Sequence, residues 1–244
     1  MNESFIAVLD SGIGGMTVLN ELIKIMPCEK YLYLGDNKNA PYGNKSLEEM
    51  WELTKFNLDL ISAYKIKCLV IGCNTLSVNL IDKIKRYSKI PTFGVFPPVG
   101  ECGTEEKTLL LSTVKTAKTF NEKENLHILG LKNLVIDIEK NLFNLNNINI
   151  EANLQESDGF FIDERGYYDT VILGCTHYCF IKNKIFDHFC PKKIISGNTF
   201  TAKKVKQYLI DNKSLVKYKR FLVKFIGESA VFNQNFYVKS GQKY

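Results

Sequence analysis

Short apolar runs alternate along this chain with longer stretches in which apolar residues recur every three or four positions. Phe5-Ile-Ala-Val-Leu9, Tyr31-Leu-Tyr-Leu34, the segments 68–72 and 92–96, Thr108-Leu-Leu-Leu111 and Thr170-Val-Ile-Leu173 have the length and the β-branched content of buried strands. Met16 to Ile25, with Val18, Leu19, Leu22 and Ile23 on one face, has helical spacing, as do Leu76 to Tyr87 and Ile181 to Phe189. Ser46 followed by Glu49 reads as a capping box opening a further helix, and Pro41-Tyr-Gly43 as a turn. Strands alternating with helices predict an α/β protein built on parallel sheets with helices on both faces. The Asn-rich stretch 141–153 carries little pattern. The end of the chain, 206–244, predicts a helix and an alternating segment at 221–225.

The pattern occurs twice. Pro97-Pro98 and Gly100 break it, and a second strand series starts at Lys107. The first strand of each half leads into a polar loop, and a later strand ends in Gly-Cys. Asp10 lies 63 residues before Cys73, and Thr113 lies 62 before Cys175. This spacing predicts two pseudo-symmetric α/β lobes, 1–97 and 98–205, with a cleft between them, and a C-terminal segment, 206–244, returning to the first lobe. Ligands of open α/β sheets gather at the carboxyl ends of the strands, where both Gly-Cys steps would lie.

Composition narrows the class. The 244 residues are 45% hydrophobic and 24% charged, as in an ordinary globular protein. The net charge of +6 comes from basic residues spaced among apolar ones, as in Lys203-Lys204-Val-Lys206, which reads as a solvated face rather than a nucleic-acid surface. No run reaches the length of a membrane span and no secretory leader is evident, so a cytoplasmic protein is expected. Seven cysteines without secreted-scaffold spacing predict reduced thiols.

The two Gly-Cys steps carry the chemistry. A buried cysteine alone is usually inert, but two in matching settings suggest a base and an acid on opposite faces of one carbon. Asp10 and His177 are the natural partners for taking a thiol's proton; Asp10 could instead only cap the next helix. The loop Gly12-Ile-Gly-Gly15 lacks the full Gly-x-Gly-x-x-Gly spacing of a dinucleotide site. Small-anion binding by loop amides with Ser11, Asn74, Thr75 and Thr176 fits it better. Cys175, His177, Cys179, His188 and Cys190 look like metal ligands, but a helix over 181–189 would carry the last two about 15 Å away, so no metal is expected.

Taken together, Leu9-Asp-Ser-Gly-Ile-Gly-Gly15, Gly35-Asp36 with Pro41-Tyr-Gly43, Gly72-Cys-Asn-Thr75 and Gly174-Cys-Thr-His-Tyr178 closely resemble the glutamate racemase family of the aspartate/glutamate racemase superfamily. Ser196-Gly197 and Thr201-Ala202 before a helix, and Gly227-Glu228, extend the likeness. The resemblance implies a cofactor-independent 1,1-proton transfer interconverting L- and D-glutamate for bacterial peptidoglycan, in a homodimer. It implies Cys73 and Cys175 as the catalytic thiols, assisted by Asp10 and His177. Ser11, Tyr42, Gly43, Asn74, Thr75 and Thr176 would bind the amino acid, with Thr113 or Thr116 as further contacts. Pro97-Pro98 stands where the family has Glu-Pro, Cys179 where it has Pro, and the second lobe is short. Asp163 or Glu164 is left for the family's helper glutamate. Aspartate or another acidic amino acid remains an alternative substrate, and a non-catalytic binding protein an alternative of a different class.

Overall fold

The computed structural model describes residues 4–155, 157, 165–216 and 222–227; Asp163, Glu164 and Glu228 lie outside them. The first half opens with β1 (Phe5–Asp10), α1 (Gly15–Ile25) and β2 (Lys30–Gly35), and continues with α2 (Leu47–Ser62), β3 (Ile66–Ile71), α3 (Asn74–Ser88) and β4 (Thr92–Gly94). The second runs β5 (Thr108–Thr113), α4 (Val114–Ala117), β6 (Leu126–Leu131), α5 (Leu134–Lys140), α6 (Ile150–Gln155), β7 (Thr170–Leu173), α7 (Lys182–Phe189) and β8 (Lys193–Ser196). α8 (Gly197–Asp211) and β9 (Leu222–Phe225) follow.

All described strand pairs are parallel, in two sheets ordered β4-β3-β1-β2-β9 and β6-β5-β7-β8. Read from its other edge, the first sheet contains β2-β1-β3-β4, the same order as β6-β5-β7-β8 in the second. β1 thus corresponds to β5, and β3 to β7. The near-equal sequence spacing of the halves has a topological basis.

Within the first sheet, side chains alternate between two cores. Ile6 and Val8 pack with Val18, Leu19 and Leu22 of α1, whereas Ala7 and Leu9 pack with Met50 and Leu58 of α2 and Leu76 and Leu80 of α3. α2 begins with the expected capping box: Ser46 Oγ accepts from the Glu49 amide at 3.1 Å and Glu49 Oε2 from the Ser46 amide at 2.8 Å. In the second sheet, one face meets α5 and α7 through Leu134, Val135, Ile138, Ile185 and Phe189. On the other face, Leu110, Leu126 and Ile172 form the buried centre among the described residues, with Val99, Phe120, Ile128 and Ile195 packed against it.

The chain crosses between sheets twice, over 95–107 and at Ser196–Gly197. Ala202, Val205 and Leu209 of α8 join the core under β1, so the return to the first sheet starts at Gly197, ahead of the expected 206. Thr201 and Ala202 accordingly lie within a helix, not before one. β9 then extends the first sheet beside β2. Sequence pattern alone did not reveal β6, α5 or β8.

Candidate active site

The carboxyl ends of β3 and β7 point into one cleft. Each strand gives way to a cysteine that immediately precedes a helical turn: Cys73 before α3, and Cys175 before the 3-10 segment Thr176–Ile181. A thiol at such a position faces the unpaired amides of the first helical turn, a setting that favours negative charge. The amides of Thr75 and Leu76 act on Cys73 in this way, and that of His177 on Cys175.

A cleft lined by Ser11, Pro41, Tyr42, Gly43, Cys73, Asn74, Thr75, Thr113, Val135, Cys175, Thr176 and His177 lies between the lobes. It brings together both cysteines, His177 and all six expected binding residues. Thr113 also lines it, while Thr116 lies fully buried behind. Asp10 is buried beneath the wall. Its Oδ1 accepts from the Gly12 amide at 2.8 Å, closing an Asx turn, and the amide of Gly15, the first residue of α1, also acts on the carboxylate. The group bonded to Cys73 is its neighbour, Ser11, whose Oγ donates to Sγ at 3.1 Å.

Burial dominates the electrostatics. It pushes the Cys73 thiol up to about 11, with the Asp10 charge adding to the rise and the Ser11 hydroxyl and loop amides opposing it. Cys175 is driven well above the ordinary thiol range by burial, then by the nearby Cys73. Burial likewise raises Asp10 to about 6, against the pull of His177 and the Gly12 and Gly15 amides. At both cysteines burial therefore favours the neutral thiol.

On the Cys175 side, His177 Nδ1 lies 3.9 Å from Sγ, and its Nε2 lies 2.8 Å from Oε1 of Glu139. Glu139 escaped the sequence reading. Its one signal was the helical spacing of Leu134, Val135 and Ile138 around it, and those same residues bring α5 to the cleft. Asp163 and Glu164, considered for the place of the family's helper glutamate, lie outside the described residues. The carboxylate that the described structure places on His177 is Glu139.

The glycine loop also has a geometric explanation. A Cβ at Gly12 would stand 2.5 Å from Glu139 Oε1, and one at Gly14 would stand 2.4 Å from Thr176 Oγ1 and 2.5 Å from His177 Nδ1. These glycines let the loop after β1 touch the His177 side of the opposite lobe. Gly43 similarly faces Thr113, whose Cβ would lie 3.2 Å away. Hydroxyls join the lobes too: Thr75 Oγ1 is 3.1 Å from Thr113 Oγ1 and 3.3 Å from Thr116 Oγ1.

Among the described residues no cluster of His, Cys, Asp and Glu has the arrangement of a metal site, and no helix is long and apolar enough to cross a membrane. Tyr42 Oη donates to Asp36 Oδ2 at 2.5 Å, so Asp36 supports the tyrosine at the cleft wall.

No family model matches the chain. Individual proteins do. It is 37% identical over 227 residues to glutamate racemase 2 of Bacillus subtilis (strain 168), covering 87% of this chain and 84% of that one. It is 34% identical over 224 residues to the glutamate racemase of Clostridium novyi (strain NT), covering 86% and 85%. Its fold matches the crystal structure of a glutamate racemase isoform from Bacillus anthracis with a TM-score of 0.79 at 26% identity, over 92% of this chain and 88% of the other. With two relatives this similar over nearly their whole lengths, the same two-lobed architecture and a thiol at each matching strand end, the chain belongs to the glutamate racemase family.

Proposed function

We propose that this protein interconverts L- and D-glutamate by a two-thiol 1,1-proton transfer without a cofactor. One cysteine, as thiolate, takes the α-proton to give a carbanion and a thiol. The opposite cysteine, as thiol, returns a proton to the other face. The observation that carries this reading is the placement of Cys73 and Cys175 at topologically matched strand ends lining one cleft.

The electrostatics give the reading a physical course. A bound amino acid brings an α-ammonium into a cleft where burial favours the neutral thiols, and an adjacent cation favours the thiolate. Asn74 Oδ1 is buried at the cleft without a hydrogen-bond partner and would accept from that ammonium. Its Nδ2 is anchored on the Val95 carbonyl at 3.1 Å, which fixes the direction in which Oδ1 points.

Each thiol has its own route to lose a proton. With the Glu139 carboxyl oxygen accepting the proton carried on Nε2, the Nδ1 of His177 presents a lone pair to Cys175. Asp10, ionised above about pH 6, serves the Cys73 side from below the wall. The hydroxyls of Ser11, Thr75 and Thr176 and the helix-start amides would hold the carboxylates, and the amides would stabilise charge that develops as the α-proton leaves. Tyr42 and Gly43 shape the opposite wall. We read the D-isomer as a precursor of bacterial peptidoglycan made in the cytoplasm, and the enzyme as a homodimer.

The test follows the α-proton by NMR in deuterated water, using protein stripped of metal and pyridoxal phosphate. L-glutamate should lose its α-proton signal while the D-isomer accumulates, and Cys73→Ala and Cys175→Ala should each abolish racemisation. Activity on aspartate alone would move the assignment to another acidic substrate, and racemisation in either variant would sink the two-thiol course.

A further inference from the structure

The two cysteines are held in different ways. Cys73 is positioned by its own lobe: by Ser11 from the loop after β1, and by the start of α3. Cys175 lies in the second lobe, yet its loop is tied to the first through one hydroxyl. Thr17, in the first turn of α1, shares its single Oγ1 proton between the Gly14 carbonyl at 2.8 Å and the Thr176 carbonyl of the other lobe at 3.3 Å. The same oxygen accepts from Asn198 Nδ2 at 2.9 Å, and that amide also lies 3.6 Å from Cys179 Sγ. Asn198 is buried near the start of α8, directly after the second crossing between the lobes.

The loop before α1, the Cys175 turn and α8 therefore meet at Thr17. The tethered carbonyl belongs to the residue next to Cys175. Beside it, Gly14 stands against Thr176 Oγ1 and His177 Nδ1, the nitrogen that faces the Cys175 thiol. A small slide of this turn along the glycine loop would alter the Sγ to Nδ1 approach. It would leave the Ser11 to Cys73 bond intact.

We propose that Thr17 is a positioning residue that registers the Cys175 turn on the first lobe, setting the rate of proton transfer on the Cys175 side of the cleft alone. This rests on the two-thiol reading. Proton removal is faster when base and proton are held in line, so loss of register slows the step that uses the displaced base. Each enantiomer presents its α-proton to one cysteine, which makes the two sides separately measurable.

The experiment compares the primary deuterium isotope effect on kcat/KM, from α-protonated and α-deuterated L- and D-glutamate, for the wild type, Thr17→Val and Thr17→Ser. Cys175→Ala identifies the enantiomer whose α-proton is taken by Cys175. The rates of the two directions stay equal because enantiomers interconvert with an equilibrium constant of one, but only the first transfer of each direction breaks the labelled bond. Thr17→Val should therefore raise the isotope effect on the enantiomer deprotonated by Cys175 and lower it on the other. Thr17→Ser, which keeps the hydroxyl, should restore both. Each isotope effect is a ratio of two rates on one enzyme, so partial loss of folded protein cancels. Unchanged isotope effects in Thr17→Val, or ones that serine fails to restore, would overturn the role of Thr17. Exchange of neither enantiomer by the wild type would overturn the two-thiol reading, and this assignment with it.

Discussion

His177 and Glu139 meet through Nε2 and Oε1 at 2.8 Å, leaving Nδ1 of the same ring toward the Cys175 thiol. An imidazole with a carboxylate on one nitrogen has its tautomer and orientation set for chemistry at the other. Glu139 would thus act through His177. Glu139→Gln keeps the shape but no longer holds the Nε2 proton as strongly, and should lower kcat by about ten- to a hundredfold, the range for a lost charge-assisted hydrogen bond. Steady-state racemisation of both enantiomers checks this, and a variant with wild-type kcat would remove Glu139 from the site.

Burial raises the Asp10 carboxyl to about 6, into the range where it titrates near neutral pH. If its carboxylate assists Cys73, kcat/KM should fall as the pH drops through about 6. Stability should run the other way. The folded state holds this proton more tightly than the unfolded chain, so the contribution of Asp10 to stability is fully present below about pH 4 and is lost as the pH rises through about 6. Asp10→Asn has no such loss. It should therefore be less active but more stable at pH 8, by up to about 3 kcal/mol, with the advantage shrinking toward pH 4. Urea denaturation at the two pH values measures the difference, and an equal gain at both would reject a buried charge as its cause.

Much of this architecture was legible because it is written locally. Ser46 and Glu49 announce a helix start, and two apolar runs ending in Gly-Cys announce matched strand ends. What escaped depends on contacts between distant segments. Glu139 gains its significance only when α5 packs beside the Thr176–Ile181 turn, 38 residues away in sequence. Gly12 and Gly14 read as anion-binding residues in isolation, whereas their lack of a side chain is demanded by groups of the other lobe. α8 was recognised as a helix, but its start was missed because Gly197, a poor helix former, occupies its first position. Gly197 is needed there for space, since a Cβ would stand 2.2 Å from the Phe96 carbonyl oxygen.

The free protein should resist thiol reagents at its reactive centre. With Cys73 at about 11, only about one thiol in a thousand is ionised at pH 8, and alkylation needs the thiolate. Iodoacetamide should modify half-exposed Cys190 well before Cys73, by peptide mass mapping. The Cys73 rate should climb about tenfold per pH unit from 7 to 10. A plateau near pH 8 would mean that the resting cleft stabilises the thiolate after all.

Gly14 offers the sharpest separation of site geometry from fold. Adding a methyl there sets a Cβ against Thr176 Oγ1 and His177 Nδ1 at distances that no packed atoms sustain, so the two loops must part. Both loops end strands whose cores lie elsewhere, so the sheets can keep their packing while the cleft opens. Gly14→Ala should therefore lower kcat/KM by about a hundredfold or more, since an ångström of misplacement costs that much in an oriented site, while the thermal midpoint falls by only a few degrees. Gly100→Ala is the matched control: a Cβ there meets nothing within 4 Å, and activity should be unchanged. A Gly14→Ala enzyme with normal kcat/KM would show that the contact between the Asp10 loop and the His177 turn is dispensable for catalysis.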